Sequence, residues 1–137
     1  MQKIHVIAAH PDDELLGCGG AILHHIDKGH KIKITIVAEG LTSRDKMRNK
    51  IKRLRDLNNL KKITNRIFKK IGINKIEYLD MADNRLDSYN LLDIIKPIEE
   101  SINSFKPNII YTHHSGDLNI DHQIVNKAVM TAVRPKP

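Results

Sequence analysis

The run His10-Pro11-Asp12-Asp13-Glu14 gathers one imidazole and three carboxylates, and a second polar run, His113-His114-Ser115-Gly116-Asp117-Leu118-Asn119-Ile120-Asp121-His122, lies far along the 137-residue chain. Together they offer the donors of a catalytic zinc site, which takes three protein ligands from His and Asp or Glu and leaves a fourth position for water. His10, Asp13 and His122 can supply that set. Pro11 stiffens the turn, His10 and Asp13 lie one turn apart, and His122 reaches the same point from the second run. Asp12 is then left beside the ion without binding it, where a general base has to be. Plainer readings exist for each residue alone: Asp12 or Asp13 as the N-cap of a helix, His122 as a surface histidine. Their joint occurrence favours the metal site. Ferrous iron, Fe2+, accepts the same two-histidine, one-carboxylate set as Zn2+.

Those residues have to be positioned by the segments around them. Stretches rich in β-branched residues run from Lys3 to Ala9, Lys31 to Ala38, Lys75 to Asp80 and Pro107 to Thr112, each reading as a buried strand. Helical periodicity runs from Glu14 to Lys28, Arg44 to Ile71, Leu91 to Phe105 and Ile120 to about Val133. The second of these is long for one helix and is expected to break near Asn58-Asn59. Strands alternating with helices predict an α/β fold, a mostly parallel sheet with helices on both faces in three layers. Gly29 and Gly72 sit where left-handed helix caps are expected. Gly17, Gly19 and Gly20 fall inside the first helix and read as sites of close helix-to-sheet packing, too late after the strand for a dinucleotide fingerprint. Ligands of such sheets bind at the carboxyl ends of the strands, and both polar runs directly follow strands.

The composition, 40% hydrophobic and 28% charged, suits one soluble globular domain over residues 1–137. No apolar run reaches the roughly 20 residues of a membrane span, and Met1 leads straight into a strand-like segment, so the chain reads as cytoplasmic. A single cysteine, Cys18, excludes an internal disulfide and a multi-cysteine metal site; it reads as a small buried hydrophobe. His5, His24, His25 and His30 have no partner at ligand spacing and read as structural or exposed. Between Ser43 and Gly72 twelve Lys or Arg face only Asp45 and Asp56, a local charge of +10 in a chain of net +7. A solvated helix face is the favoured reading over a nucleic-acid or membrane patch, because apolar residues recur through the segment at helical spacing, and attraction of an anionic substrate is a third. The scarcity of aromatic residues argues against a base-stacking nucleic-acid surface.

Ala9-His10-Pro11-Asp12-Asp13-Glu14 resembles the signature of the LmbE-like, or PIG-L, family of zinc-dependent de-N-acetylases. The likeness continues through Ala38-Glu39-Gly40 to Arg44, through Asp83-Asn84-Arg85-Leu86-Asp87, and to Gly116-Asp117-Leu118-Asn119-Ile120-Asp121-His122. It spans nearly the whole chain in family order, and four ordered blocks are far more specific than one hexapeptide. The resemblance implies a Rossmann-like α/β fold, zinc held by His10, Asp13 and His122, and Asp12 as general base. It implies hydrolysis of the acetyl amide of a small N-acetylated amino sugar, of the N-acetylglucosamine type. An amidase acting on another acyl group or a thiol conjugate, and a non-catalytic metal-binding domain, are the other readings. Homo-oligomerisation is left open.

Two departures from the family stand out. Many members carry a histidine three residues before the last zinc ligand, where it helps stabilise the oxyanion; here the position holds Asn119, and His113 or His114 are the other candidates for that role. Family members are also usually longer, which suggests that the chain is truncated after Arg134-Pro135-Lys136-Pro137. Asp121, adjacent to His122, is expected to orient a ligand. Arg44 and Arg85 follow strands and are candidates to bind hydroxyl or phosphate groups, against salt bridges to Asp45 or Asp87, and Asp83 is a further candidate for sugar hydroxyls.

Overall fold

In the computed structural model, which describes residues 1–74 and 76–135, four strands pair in parallel in the order β3-β2-β1-β4. They are β1 (Lys3–Ala8), β2 (Lys31–Ala38), β3 (Ile76–Met81) and β4 (Ile109–Tyr111). The helices are α1 (Asp13–Asp27), α2 (Leu54–Lys70), α3 (Leu91–Phe105) and α4 (Ile120–Ala132). Lys75, expected to open the third strand, and the terminal Lys136-Pro137 lie outside the described residues.

The alternation of side chains along the strands divides the core in two. Val6, Ile34 and Ile36 point to one face and pack with Ile22 of α1 and Phe68 of α2. Ile7 and Val37, one residue out of phase, point to the other and pack with Ile94 and Ile98 of α3 and Val125 and Val129 of α4. Helices therefore cover both faces, as the near-continuous apolar strands require. The chain moves outward from β1 through β2 to β3, then returns across the sheet to place β4 on the other side of β1. The strand order thus reverses between β1 and β4, and a crevice at their carboxyl ends is where such a sheet binds ligands.

Two expectations are corrected. The stretch from Arg44 to Ile71 is not one helix, nor does it break at Asn58-Asn59, which lie inside α2. Only a 3-10 turn forms over Thr42–Arg44, and the helix starts at Leu54. The intervening segment is held as a loop by its own charges: Arg48 forks onto Glu39 at 3.0 and 2.9 Å, and Arg53 onto Asp45 at 2.8 and 2.9 Å. Nor are the α1 glycines needed for packing, since a Cβ at Gly17 or Gly20 would meet nothing within 4 Å. They flank a break, for Cys18 leaves helical geometry at φ −142° and ψ 22°. Poor helix formers on either side reduce the cost of that break. Gly29 and Gly72 do take up positive φ at the ends of their helices, as expected.

Candidate metal centre

The turn after β1 brings its side chains together through its own backbone. The His10 N–H donates to Asp13 Oδ2 at 2.9 Å, and the Asp13 N–H donates back to the His10 carbonyl at 3.3 Å. This reciprocal turn sets the carboxylate of Asp13 beside the ring of His10, with Nδ1 3.3 Å from Oδ2. From the first turn of α4, His122 Nε2 approaches to 3.1 Å from the same Asp13 oxygen and 3.3 Å from His10 Nδ1. Three donor atoms from segments more than a hundred residues apart thus form a nearly equilateral triangle. A tetrahedral ion with ligands at about 2.0–2.1 Å needs donor separations of about 3.3 Å, so the triangle suits such an ion.

The far side of each imidazole is held by a carboxylate. His10 Nε2 lies 3.0 Å from Asp121 Oδ2, and His122 Nδ1 lies 3.0 Å from Asp117 Oδ2. Each ring thus has one nitrogen held from behind, leaving the other for the ion, the arrangement that fixes tautomer and orientation in metal sites. Asp121 is itself fully buried and accepts from the backbone N–H groups of Asn84, at 2.7 Å, and Leu86, at 3.0 Å. Asn84 is left-handed at φ 50°, a conformation asparagine tolerates, so the loop after β3 serves as the backing of the site.

Two other His and carboxylate groupings lie close by, and their hydrogen bonds argue against them as catalytic ligand sets. In the group of His10, Asp83 and Asp121 both carboxylates are buried and already engaged, Asp121 by the Asn84 and Leu86 N–H groups and Asp83 by Ser43 and Asn84. In the group of His113, Asp117 and His122, the lone pair of His113 Nε2 accepts the Ala9 N–H at 2.8 Å.

Charge in the site follows from these contacts. Burial opposes a proton on His10, but the bonds to Asp121 and Asp13 outweigh it and raise its pKa to about 10. Burial would likewise raise Asp13, and His10 more than reverses that, holding its carboxyl below the ordinary range. A ring of aspartates that draws a proton this strongly is a ring that favours a cation. Burial and the adjacent His122 push His113 down to about 4, so it is a neutral ring at neutral pH, stacked on His122 with centroids 3.9 Å apart.

Asp12 stands apart from the triangle. Its backbone lies at φ 138° and ψ −29°, a region costly for a side chain with a Cβ, and it occupies the N-cap position of α1 without making a side-chain cap. The Asp12 N–H is held instead by the buried Glu14 carboxylate at 3.1 Å. Partial burial, with Asp13 next to it, raises the pKa of Asp12. Strained backbone of this kind concentrates at functional sites. Pro11 is wedged against Gly40 of the next loop, where φ is +81° and a Cβ would come within 2.6 Å of Pro11 Cδ.

The remaining sequence candidates are dispersed. Asn119 caps α4: its Oδ1 accepts the N–H groups of Asp121 and His122, and its Nδ2 donates to Asn84 Oδ1 at 3.1 Å, leaving one amide N–H for another acceptor. His114 is exposed and accepts the Gly116 N–H. Asp83 is buried, with Oδ2 taken by the hydroxyl and N–H of Ser43 and Oδ1 by Asn84 Nδ2, and it lies 3.4 Å from His10 Nε2. It joins the loops after β2 and β3 behind His10. Arg85 donates to the Asp45 carbonyl at 3.3 Å, while its buried Nε has no partner among the described residues, and Arg44 is exposed in the 3-10 turn. Neither forms the salt bridge to Asp45 or Asp87 that was the alternative: Asp45 is taken by Arg53 and Lys52. Sequence reasoning assigned no role to Asp117 or Glu14, since a contact made five residues before a ligand, or through a turn's backbone, leaves no periodic signal.

A parallel α/β sheet with a His-Asp-His triangle at its switch point and a strained aspartate alongside defines a class by fold and site: Rossmann-like α/β proteins with the donors of a metal centre at the strand ends. The sequence model of the GlcNAc-PI de-N-acetylase family, PIG-L, matches residues 5–133, and the chain belongs to that family. It is 32% identical over 139 residues to the uncharacterized deacetylase YaiS of Escherichia coli (strain K12), covering 98% of this chain and 69% of that protein. Among solved structures, N,N'-diacetylchitobiose deacetylase from Pyrococcus horikoshii superposes with a TM-score of 0.81 at 20% identity, over 96% of this chain and 49% of that one. GalB, the 4-carboxy-2-hydroxymuconate hydratase from Pseudomonas putida KT2440, superposes at 0.78 with 18% identity, over 96% and 55%. The chain therefore spans about half the length of these two structures. That a hydratase shares the fold means the reaction has to be argued from the site.

Proposed function

We propose that the chain carries the catalytic centre of a metal-dependent N-deacetylase acting on an N-acetylglucosamine-type amino sugar. The observation that carries the reading is the triangle of His10 Nδ1, Asp13 Oδ2 and His122 Nε2, with edges of 3.1 to 3.3 Å, beside an aspartate that binds none of them. His10, Asp13 and His122 hold the ion, Zn2+ by preference for this donor set, with Fe2+ the alternative. Such an ion, when bound, lowers the pKa of water and polarises a carbonyl.

Asp12 accepts the proton as water attacks the acetyl carbonyl and returns it to the departing nitrogen, which must be protonated to leave as an amine. Its raised pKa and held backbone suit a group that has to change protonation state twice in one turnover. The spare amide N–H of Asn119, the N-cap of α4, is one candidate donor to steady the developing oxyanion. His113, neutral and committed through Nε2 to Ala9, and His114, on the exposed loop, are the other candidates. Arg44 and Arg85 bind the hydroxyl or anionic groups of the substrate, and Asp83 supports them from beneath by joining their two loops.

The test is a pair of readouts on the same variants. Asp12→Asn should keep the metal and lose at least about 100-fold in acetate release from N-acetylglucosamine-containing substrates, whereas His10→Ala and His122→Ala should lose the metal itself. Near-normal turnover in Asp12→Asn would sink the base assignment. Metal bound tightly by the wild-type chain with no amide hydrolysed would favour a binding domain instead.

A further inference from the structure

Two of the loops that follow strands at the carboxyl edge of the sheet, the edge of the donor triangle, carry large aliphatic side chains that touch little of the protein. Met47 is 80% and Ile51 88% exposed in the loop between β2 and α2, and Leu118 is 96% exposed in the loop between β4 and α4. Because β1 lies between β2 and β4, these two loops stand on either side of the centre, at the same edge of the sheet. Leaving three such side chains in water is unfavourable, each forfeiting the gain of burial. Between and beside them lie Lys46, Lys50 and Arg55, all exposed and making no hydrogen bond or ion pair among the described residues. The neighbouring Arg48 and Arg53, by contrast, are folded back onto Glu39 and Asp45. Arg48 and Arg53 thus serve the fold of the loop, whereas Lys46, Lys50 and Arg55, the last in the first turn of α2, form no ion pair among the described residues.

Exposed aliphatic tips flanked by unpaired cations form the composition of an interfacial surface: the tips enter the headgroup and acyl boundary while the cations meet lipid phosphates. A nucleic acid would account for the cations alone. It gives no reason for bare aliphatic side chains, and the chain has no Trp, two Phe and three Tyr, few aromatics to stack on bases. No helix among the described residues is long and apolar enough to cross a membrane, so any attachment through this surface is peripheral.

We propose that the rim formed by Met47, Ile51 and Leu118, with Lys46, Lys50 and Arg55, docks on an anionic lipid bilayer and turns the metal centre toward it. The inference does not depend on the deacetylase reading, and its test reads binding and not turnover. The chain should co-sediment with phosphatidylcholine vesicles containing phosphatidylglycerol and not with phosphatidylcholine alone. Met47→Ser combined with Ile51→Ser should weaken that binding by about ten-fold or more. Lys46→Gln and Lys50→Gln should each weaken it about five-fold. These side chains are exposed, so thermal melts of the variants should match the wild type. Met47→Trp supplies an independent readout in a chain without tryptophan, since its emission should shift to the blue on anionic vesicles only. Equal binding to neutral vesicles, or binding unaffected by the substitutions, would overturn the proposal. So would binding to duplex oligonucleotides alone, or self-association through Met47 and Ile51 in place of vesicle binding.

Discussion

Asp121 touches the proposed ion only through His10, yet it is the most completely buried member of the site and is held by two backbone N–H groups. Asp121→Asn keeps the shape and removes the charge behind the ring. Metal affinity should fall about 10- to 100-fold without being abolished, as read by competition with a chromophoric chelator; an unchanged affinity would show that His10 needs no carboxylate at Nε2 to bind through Nδ1. A second residue-scale consequence lies away from the site. His5 is fully buried in β1, its Nε2 bonded to Thr35 Oγ1 at 2.8 Å and its Nδ1 without a partner among the described residues. The Thr35 and Ser101 hydroxyls both turn to Glu77, which Lys33 also pairs, so Thr35 is free to accept and His5 carries its proton on Nε2. Burial, with Lys33 nearby, depresses the pKa of His5 from 6.5 to about 4. The unfolded chain therefore binds more protons than the folded one between those values, and stability rises with pH across that window. Acidification from about pH 6.5 to 4 should remove on the order of 3 kcal/mol through this residue. Urea titrations across the range, repeated on His5→Asn, will detect it, and equal slopes in the two proteins would assign the effect elsewhere.

At the scale of elements, the turn after β1 depends on the loop after β2. Gly40 combines a positive φ with the close approach of Pro11, so both its backbone and its missing side chain matter. Gly40→Ala should cost about 1–3 kcal/mol and, because Pro11 must move, weaken metal binding as well. Denaturation and metal titration of the same sample will separate the two, and wild-type values in both would mean that Pro11 yields freely. On the other side of the centre, Asn119 starts α4 one turn before His122 ends its approach to the triangle. Asn119→Ala should lose about 1 kcal/mol as a lost cap, and Asn119→Asp, which caps but carries no amide, should restore stability. If Asp restores stability but not turnover, the amide N–H has a role beyond the cap.

For the whole molecule, the ion links distant parts of the chain. His10 and Asp13 belong to the first turn, His122 to the last helix, and their bridge spans the switch point between β1 and β4. An ion that binds only the folded arrangement stabilises it by mass action, about 2.7 kcal/mol when free metal is about a hundred times its Kd. Chelation should therefore lower the melting temperature, and restoring Zn2+ should raise it in a concentration-dependent way. A melting temperature indifferent to metal in the wild type, but with metal still bound, would indicate that the unfolded chain holds the ion equally well.

Much of this architecture was legible in the residues. The β-branched runs marked all four strands because a sheet covered on both faces has no polar side to interrupt them, and the periodicity of Leu91 to Phe105 marked α3 to the residue. His10, Asp12 and Asp13 could be singled out because their relation is local, set by a short turn, and the identity of the family was carried by motif blocks that keep their order along the chain. What the residues alone left open was decided by contacts between segments far apart. The basic stretch after Arg44 reads as helical with a break near Asn58-Asn59, yet Glu39 and Asp45 draw Arg48 and Arg53 into a loop, a tertiary choice that overrides propensity. Asp83 reads as a solvent-facing binder, and only the packing of two loops sets it behind His10. Asp117 and Glu14 gain their meaning from the ring and the strained backbone they support. The triangle of donors is likewise a property of the folded chain: composition supplies the ligand types, while the crossing back from β3 to β4 brings His122 within 3.1 Å of Asp13. Local sequence sets what each segment prefers, and distances across the sheet are set by how those segments pack.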